Sequence, residues 1–388
     1  MDHGSGPLNK GRNEKSYAVN RLFRRIVLAA VGLLGLAVLA LSCSSCSPIY
    51  VARAGWAEWK ILSARRPLQE VIQDPSTDEA TRRKLLLTRQ ARAFALHVLE
   101  LDAGDSYTTF TRLESDTLAM ILSAAYRDRL EPKTWWYPVV GRMPYKGFFD
   151  HEEAREARAE LEAEGMDTYL RPTSAFSTLG WFSDPLLSTL LRYDDVELVE
   201  TVLHELAHNH LWVPSHARFN ESYATFVGRV GAIRFFCGVE NQTPRRAECR
   251  QARERWAHYR GFSAFLDTFI RNLQELYARD DLTREEKVRA RDELFQATRE
   301  EHLQAGEPPE DLNPRVARFL SRPLNNAVLL SRMRYYHRLG DFQAFLEERG
   351  GDLAAAVRDL AHGAEGVENP FQLLPETGGA GDEDEPRG

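Results

Sequence analysis

The 388-residue sequence predicts an α+β fold that is mainly α-helical. Three observations carry this. Apolar residues recur at three- and four-residue spacing over long stretches, short aromatic or β-branched runs are confined to residues 107–191, and nearly everything after Gly238 has helical signal. A hydrophobic share of 43% is ample for a large core, and no clear linker divides residues 50–345, so a single enlarged domain is expected there.

Residues 1–20 are polar and glycine-containing, a composition that predicts disorder. Arg21, Arg24 and Arg25 then precede the apolar run 26–41 and the motif Ser-Cys-Ser-Ser-Cys. Sixteen apolar residues are short of the roughly 20 that span a bilayer, whereas charge, apolar stretch and small residues are the layout of a secretion signal. The segment resembles a bacterial lipoprotein signal. Cys43, after Ala40-Leu41-Ser42, is the first candidate for lipidation and Cys46 the alternative; an uncleaved anchor over residues 26–47 is the competing reading. Each places the remainder outside the cytoplasm, attached to a membrane, and Ser44 after a lipidated Cys43 resembles an outer-membrane sorting signal. The expected divisions are thus 1–25, 26–47, a main domain over 48–345, and a C-terminal helix with a flexible tail over 346–388.

Residues 49–72 read as helix up to a break at Asp74-Pro75, and residues 78–101 as a second helix with arginines on its wetter face. The runs 134–141 and 166–176 fit strands of a small sheet, and the charged stretch 150–165 between them fits a helix ending at Gly165. Residues 253–279 and 280–302 suggest a hairpin of long helices, the second starting at an Asp/Thr signal. Cys237 and Cys249 flank a polar, proline-containing loop, and an exported chain meets an oxidising compartment, so a disulfide is expected between them. Interspersed charges with a net of -7 offer no basic field for nucleic acid.

The chemistry concentrates in residues 199–228. His204 and His208 are four apart on a predicted helix, so their imidazoles can meet one ion, with Glu205 beside them as a proton acceptor. Pro214 marks a break, and the next helix, with Phe219, Tyr223, Phe226, Val227, Val230 and Ile233 at helical spacing, brings Glu221 back as a third ligand. Three ligands and a neighbouring carboxylate are the donor set of catalytic zinc, which keeps one position for water. The competing reading is a chance pattern of core histidines, but a buried His-Glu-His cluster without a cation is costly in lost solvation. His210 lies on a different face of the helix and His216 in the connecting loop, so each is a candidate for contacting substrate or a supporting carboxylate more than for binding the ion, and Asn220 is a supporting residue that caps the helix or bonds nearby backbone. Residues 167–180 are the candidate strand edge for holding a peptide backbone.

The blocks ARRPLQEVI, GRMPYKGFFD, GMDTYLRPTSAFSTLGWFSDPLLST, VLHELAHNHLW, FNESYATFVGRVGA and LNNAVLLSRMRYY, spread over roughly residues 43–345, resemble the bacterial family described as putative or predicted aminopeptidases. That resemblance implies a zincin-like core, one Zn2+, a peptide substrate and an envelope lipoprotein. It places the metal ligands on His204, His208 and Glu221, the general base on Glu205 and the Asn-Glu pair on Asn220 and Glu221. Two departures stand out. Phe176 occupies a position where the family usually has tyrosine, and Gly141 one where cysteine is common. For stabilising the developing negative charge, Tyr336 is the first candidate and Tyr335 the alternative, with Tyr145 and Tyr223 as competitors. No acidic residue is singled out as an anchor for a free α-amine, so endopeptidase or dipeptidase action stands beside aminopeptidase action. A non-catalytic, metal-stabilised envelope scaffold is the non-enzymatic alternative.

Overall fold

The structure, a computed structural model, describes residues 48–113, 119–137, 141–173, 183–238, 245–303, 309 and 312–377. The described residues separate into two compact units, a larger one from 57–134 and 144–377 and a smaller one from 48–56 and 135–143. Cys43, Cys46, Ser44 and the apolar run 26–41 lie outside the described residues. Among the described residues no helix is long and apolar enough to cross a membrane.

Helix α1 (Pro48–Ser63) is followed by the two-residue strand β1 (Arg66–Pro67) and the short helix α2 (Leu68–Gln73). The expected continuous helix over 49–72 is therefore interrupted. Pro67 lacks the N–H that a helix interior needs and adopts an extended conformation, and Leu68 N–H is drawn to the Thr108 carbonyl at 2.9 Å. Helix α3 (Glu79–His97) begins at Asp78, whose carboxylate accepts from Thr81 N–H. It buries Leu85, Leu87, Ala91, Phe94 and Ala95 and leaves arginines toward water, as its pattern predicts.

Three small sheets follow. Strand β2 (Thr109–Thr111) joins β1 antiparallel and β8 (Leu186–Leu187) parallel. In the second sheet, β3 (Ala119–Ala125) is central, flanked by β6 (Lys146–Phe148) and β7 (Asp167–Thr173), both antiparallel to it. The smaller unit contains the pair β4 (Trp135–Tyr137) and β5 (Gly141–Met143). Both runs read as strands from sequence therefore form strands, over 135–137 and 167–173. Between β6 and β7, helix α4 (His151–Ala163) starts at Asp150, which accepts from two backbone N–H groups, and Gly165 turns the chain with φ +79°.

The core of the larger unit is built around helix α5 (Asp195–His210), on which Val196, Leu198, Val199, Val202, Leu203, Leu206 and Ala207 are all fully buried. Each such large apolar side chain contributes about 1.5–3 kcal/mol by leaving water. Helix α5 packs against α3 and against α6 (Ala217–Cys237). Helix α7 (Arg246–Tyr277) lies on α6 and is followed by α8 (Arg284–His302), which packs beside it and is started by the reciprocal Thr283–Glu286 cap, so the expected helical hairpin is present. The short α9 (Pro314–Leu320) packs on α7, and α10 (Asn326–Tyr336) rests on α6, β3 and β7. Helices α11 (Leu339–Glu348) and α12 (Leu353–Gly363) cover the far side of α6. Residue 345, the expected domain limit, falls inside α11. Cys237, the last residue of α6, is joined to Cys249 in the first turn of α7 by the expected disulfide.

Candidate metal centre

Helix α5 starts at Asp194, whose carboxylate accepts from Glu197 N–H, and has Asp195 and Glu197 in its first turn and His208 and His210 in its last. This order suits the helix dipole at both ends. His204 and His208 stand one above the other, their ring centres 4.8 Å apart and their planes perpendicular.

The connection to α6 is held by Asn220. Its side-chain oxygen accepts from Val213 N–H at 2.9 Å and its amide donates to Val213 O at 2.7 Å, so the buried loop backbone is satisfied from the next helix. One residue on, Glu221 projects toward α5. Close approach of the two helices makes this possible. A Cβ on Gly228 would lie 2.6 Å from Glu200 O and 3.1 Å from His204 Cβ. Gly228→Ala is accordingly expected to push α5 and α6 apart, costing about 1–3 kcal/mol of stability. Thermal unfolding checks this; an unchanged unfolding temperature would show that the two helices accommodate the extra methyl group without separating.

The Nε2 atoms of His204 and His208 lie 3.3 and 3.4 Å from Glu221 Oε2, and the three donor atoms fall within 4.8 Å of one another. Zinc bonds of about 2.0–2.1 Å set tetrahedral donors about 3.3–3.4 Å apart, so the carboxylate-to-imidazole spacings fit that ion. Among the described residues no further His, Cys, Asp or Glu joins the group. His204 and Glu221 keep 17% and 18% side-chain exposure against 4% for His208, so the group has one accessible side. Burial would raise the Glu221 pKa, but the His208 and then the His204 imidazoles outweigh it and hold the carboxyl well below its usual range. Glu205 has the opposite balance. Burial, with Glu221 and Asp184 adding like charge, pushes it up to about 7 against the opposing effect of His204.

The two tyrosines at the end of α10 part company. The Tyr335 ring stacks on His204 at 6.4 Å, and its hydroxyl is raised by burial and then by the Glu221 charge, with Arg171 of β7 opposing. Tyr336 instead points into the core, stacked on Tyr259 at 4.9 Å and edge-on to Phe262, its hydroxyl accepting from Arg315 at 3.2 Å. The expectation that favoured Tyr336 is corrected accordingly: successive helical residues point about 100° apart, and docking of α10 turns Tyr335 to the metal group. Tyr223 is fully buried and stacked on Phe219, a core residue. Tyr145 lies beneath Arg334, its pKa raised by burial, with Tyr335 and Glu221 adding to the rise.

His210 and His216 are not in the donor group. The first accepts from Asp102 N–H at 3.0 Å, and the second occupies the start of α6. Strand β7 pairs with β3 on one side and is an edge of its sheet among the described residues. The expected substrate edge at 167–180 is thus a strand over 167–173, while Phe176 and the rest of 174–182 lie outside the described residues. Sequence reasoning missed Arg171, Asp184 and Glu58. Burial and then Asp184 push Glu58 up to about 7, and Asp184 also acts on Glu205. Nothing in their local sequence marks them, because they come from three separate segments.

A family model described as "Putative aminopeptidase" matches residues 49–367, well over half of the chain. No curated protein and no solved structure matches it.

Proposed function

The chain belongs to the putative aminopeptidase family, and from that premise we propose that it is a zinc-dependent peptidase that removes N-terminal residues from peptides. The observation that carries the reading is the convergence of His204, His208 and Glu221 on one point with an accessible side and Glu205 next to it. A zinc ion held there would supply a water with a pKa near about 7 and polarise the scissile carbonyl.

The residues of this chain do the rest. Glu205 accepts the proton of the attacking water and returns it to the departing amine, which requires only hydrogen-bond reach to both. Cation binding beside it acts against the effects that raise its pKa and favours the ionised base. The Tyr335 hydroxyl donates to the oxygen that gains negative charge as the carbonyl carbon becomes tetrahedral. The free edge of β7 aligns the substrate backbone by strand pairing, and the charge of Asp184, which acts on Glu205, attracts the free amine. Residues 26–46 support attachment to the bacterial envelope, with Cys43 as the lipid carrier.

The test compares a peptide with its N-acetylated form on the zinc-loaded protein. The free peptide should be cleaved after its first residue, and acetylation should slow cleavage by about 10²-fold or more, because a site built for an ammonium group rejects its absence. Equal cleavage of both forms would transfer the assignment to an endopeptidase, and cleavage of neither would end the peptidase reading.

A further inference from the structure

Glu221 and Tyr335 sit on different helices, α6 and α10, and a segment near the end of the chain touches both of these helices. After α12 the chain forms a single turn of 3₁₀ helix, Pro370–Leu373, started by Asn369, whose side-chain oxygen accepts from Phe371 N–H at 3.0 Å. Phe371 is buried. Its ring stands edge-on to Phe219 at 5.3 Å and to His337 at 4.9 Å. Phe219 lies two residues before Glu221, and His337 two residues after Tyr335. One aromatic ring thus ties the first turn of α6 to the end of α10.

The end of α10 is where this contact has most to hold. Arg338, next after His337, has φ +54°, a left-handed conformation that is unfavourable for a residue with a Cβ and persists only where the surroundings enforce it. Two sets of bonds do so. From α7, Asp267 takes the His337 Nδ1–H at 3.0 Å and the Arg338 N–H at 3.3 Å, and Ser263 Oγ takes the Leu339 N–H at 3.1 Å. From the C-terminal segment, Thr377 gives its N–H, at 3.0 Å, and its hydroxyl to one oxygen of Asp341, whose other oxygen takes Arg338 Nε at 2.5 Å. The Arg338 guanidinium also lies over the Phe371 ring at 5.4 Å. Phe219 has further anchors, since it meets Tyr223 and Phe342 and belongs to a helix of 21 residues. The 11-residue α10 ends at the strained turn itself, so loss of the Phe371 contact falls on its last turn, which carries Tyr335.

We propose that Phe371 is a positioning residue: packed between Phe219 and His337, it lets the C-terminal segment fix the last turn of α10 and so hold the Tyr335 ring against His204. Its kinetic consequence rests on the peptidase reading given above; the contact between the segment and α10 does not. Truncating the ring leaves a cavity against His337 that the neighbouring structure fills only in part. The turn at Arg338 then loses one of its supports, and Tyr335 its fixed place on His204. A displacement of about 1 Å is enough to cost a reaction about 10²-fold, so the effect belongs in turnover and not in substrate binding.

The experiment uses the full-length chain as wild type, Phe371→Ala, Phe371→Leu and Thr377→Val. Three quantities are read: the fluorine resonance of a fluorotyrosine placed at position 335, recorded before zinc is added; zinc content after loading; and kcat and KM for a peptide with a free N-terminus. Phe371→Ala should displace or split the resonance and lower kcat per folded molecule by about tenfold or more, with KM within about threefold and zinc retained. Phe371→Leu refills most of the volume and should recover most of that loss. Thr377 is exposed, so Thr377→Val leaves folding intact and should reproduce the effect on a smaller scale; it carries the test if Phe371→Ala does not fold. A ring that acts through Tyr335 has nothing left to position in Tyr335→Phe, so adding Phe371→Ala to that background should cost kcat no more than about twofold. An equal loss in both backgrounds, an unchanged kcat, loss of zinc or an unmoved resonance each overturns the proposal. If wild type cleaves no peptide, the peptidase reading falls, and the resonance alone decides: displaced, the segment sets the position of Tyr335; unmoved, it does not.

Discussion

Glu205→Gln should lower turnover of a peptide substrate by about 10³-fold, within the range contributed by a positioned acid–base group, while the protein retains its zinc. Glutamine preserves the volume and one oxygen of the glutamate, so α5 need not rearrange. It cannot accept a proton at neutral pH. The comparison variant is His208→Ala. His208 is the most buried of the three donors, and removing its imidazole leaves Glu221 and His204 as a two-donor remnant. Activity should again disappear, but zinc should disappear with it. Elemental analysis of the purified variants beside a peptide assay separates the two cases. Full activity in Glu205→Gln would exclude it as the base, and loss of zinc from that variant would recast Glu205 as a group that organises the ligands. Zinc binding should also raise the unfolding temperature of the wild type, since a ligand held only by the folded state adds about 4 kcal/mol at a thousandfold excess over its Kd. His208→Ala should show little of that rise.

The convergence of His204, His208 and Glu221 was legible because its constraints are local. Four-residue spacing fixes His204 over His208 on any regular helix, and the proline break with an amphipathic segment behind it returns Glu221 to the same place. The role of Asn220 was half legible: a buried loop needs partners for its backbone, and Asn220 meets that need at both polar groups of Val213. Pro67 could have been read as the end of α1, but the apolar spacing on both sides of it continues as though the helix did. The tyrosine assignment failed for a different reason. Sequence places Tyr335 and Tyr336 at the end of one helix, and the choice between them is the rotation of α10 against α6, β3 and β7, which no local pattern encodes. The cavity of about 180 Å³ lined by His204, Glu205 and Tyr335 was hidden likewise, because Glu200, Arg229 and Tyr259, which also line it, belong to three helices and come together only when those helices pack.

That rotation of α10 yields the second large effect. Tyr335→Phe should reduce kcat by about 10²-fold or more, the scale of a lost donor to a developing oxyanion, with zinc content unchanged. The phenyl ring can still stack on His204, so the variant deletes the hydroxyl and little else. Arg171, which contacts that hydroxyl, remains positioned to give partial compensation through a water, which would lift the residual activity above that of Glu205→Gln. Tyr336→Phe makes the same chemical change one residue along. Its hydroxyl serves Arg315 inside the Tyr259 and Phe262 cluster, so the expected loss is about 1.5–3 kcal/mol of stability, as for a hydrogen bond to a charged group. Turnover per folded molecule should stay within about threefold of wild type, because that hydroxyl serves the fold and not the transition state. Chemical denaturation and kcat measured on both variants give a two-by-two comparison in which activity and stability should move separately. If Tyr336→Phe were the variant to lose turnover while Tyr335→Phe remained active, the hydroxyl facing Arg315 would have to reach the substrate by a rearrangement of α10, and the arrangement of the site around His204 would need to be redrawn.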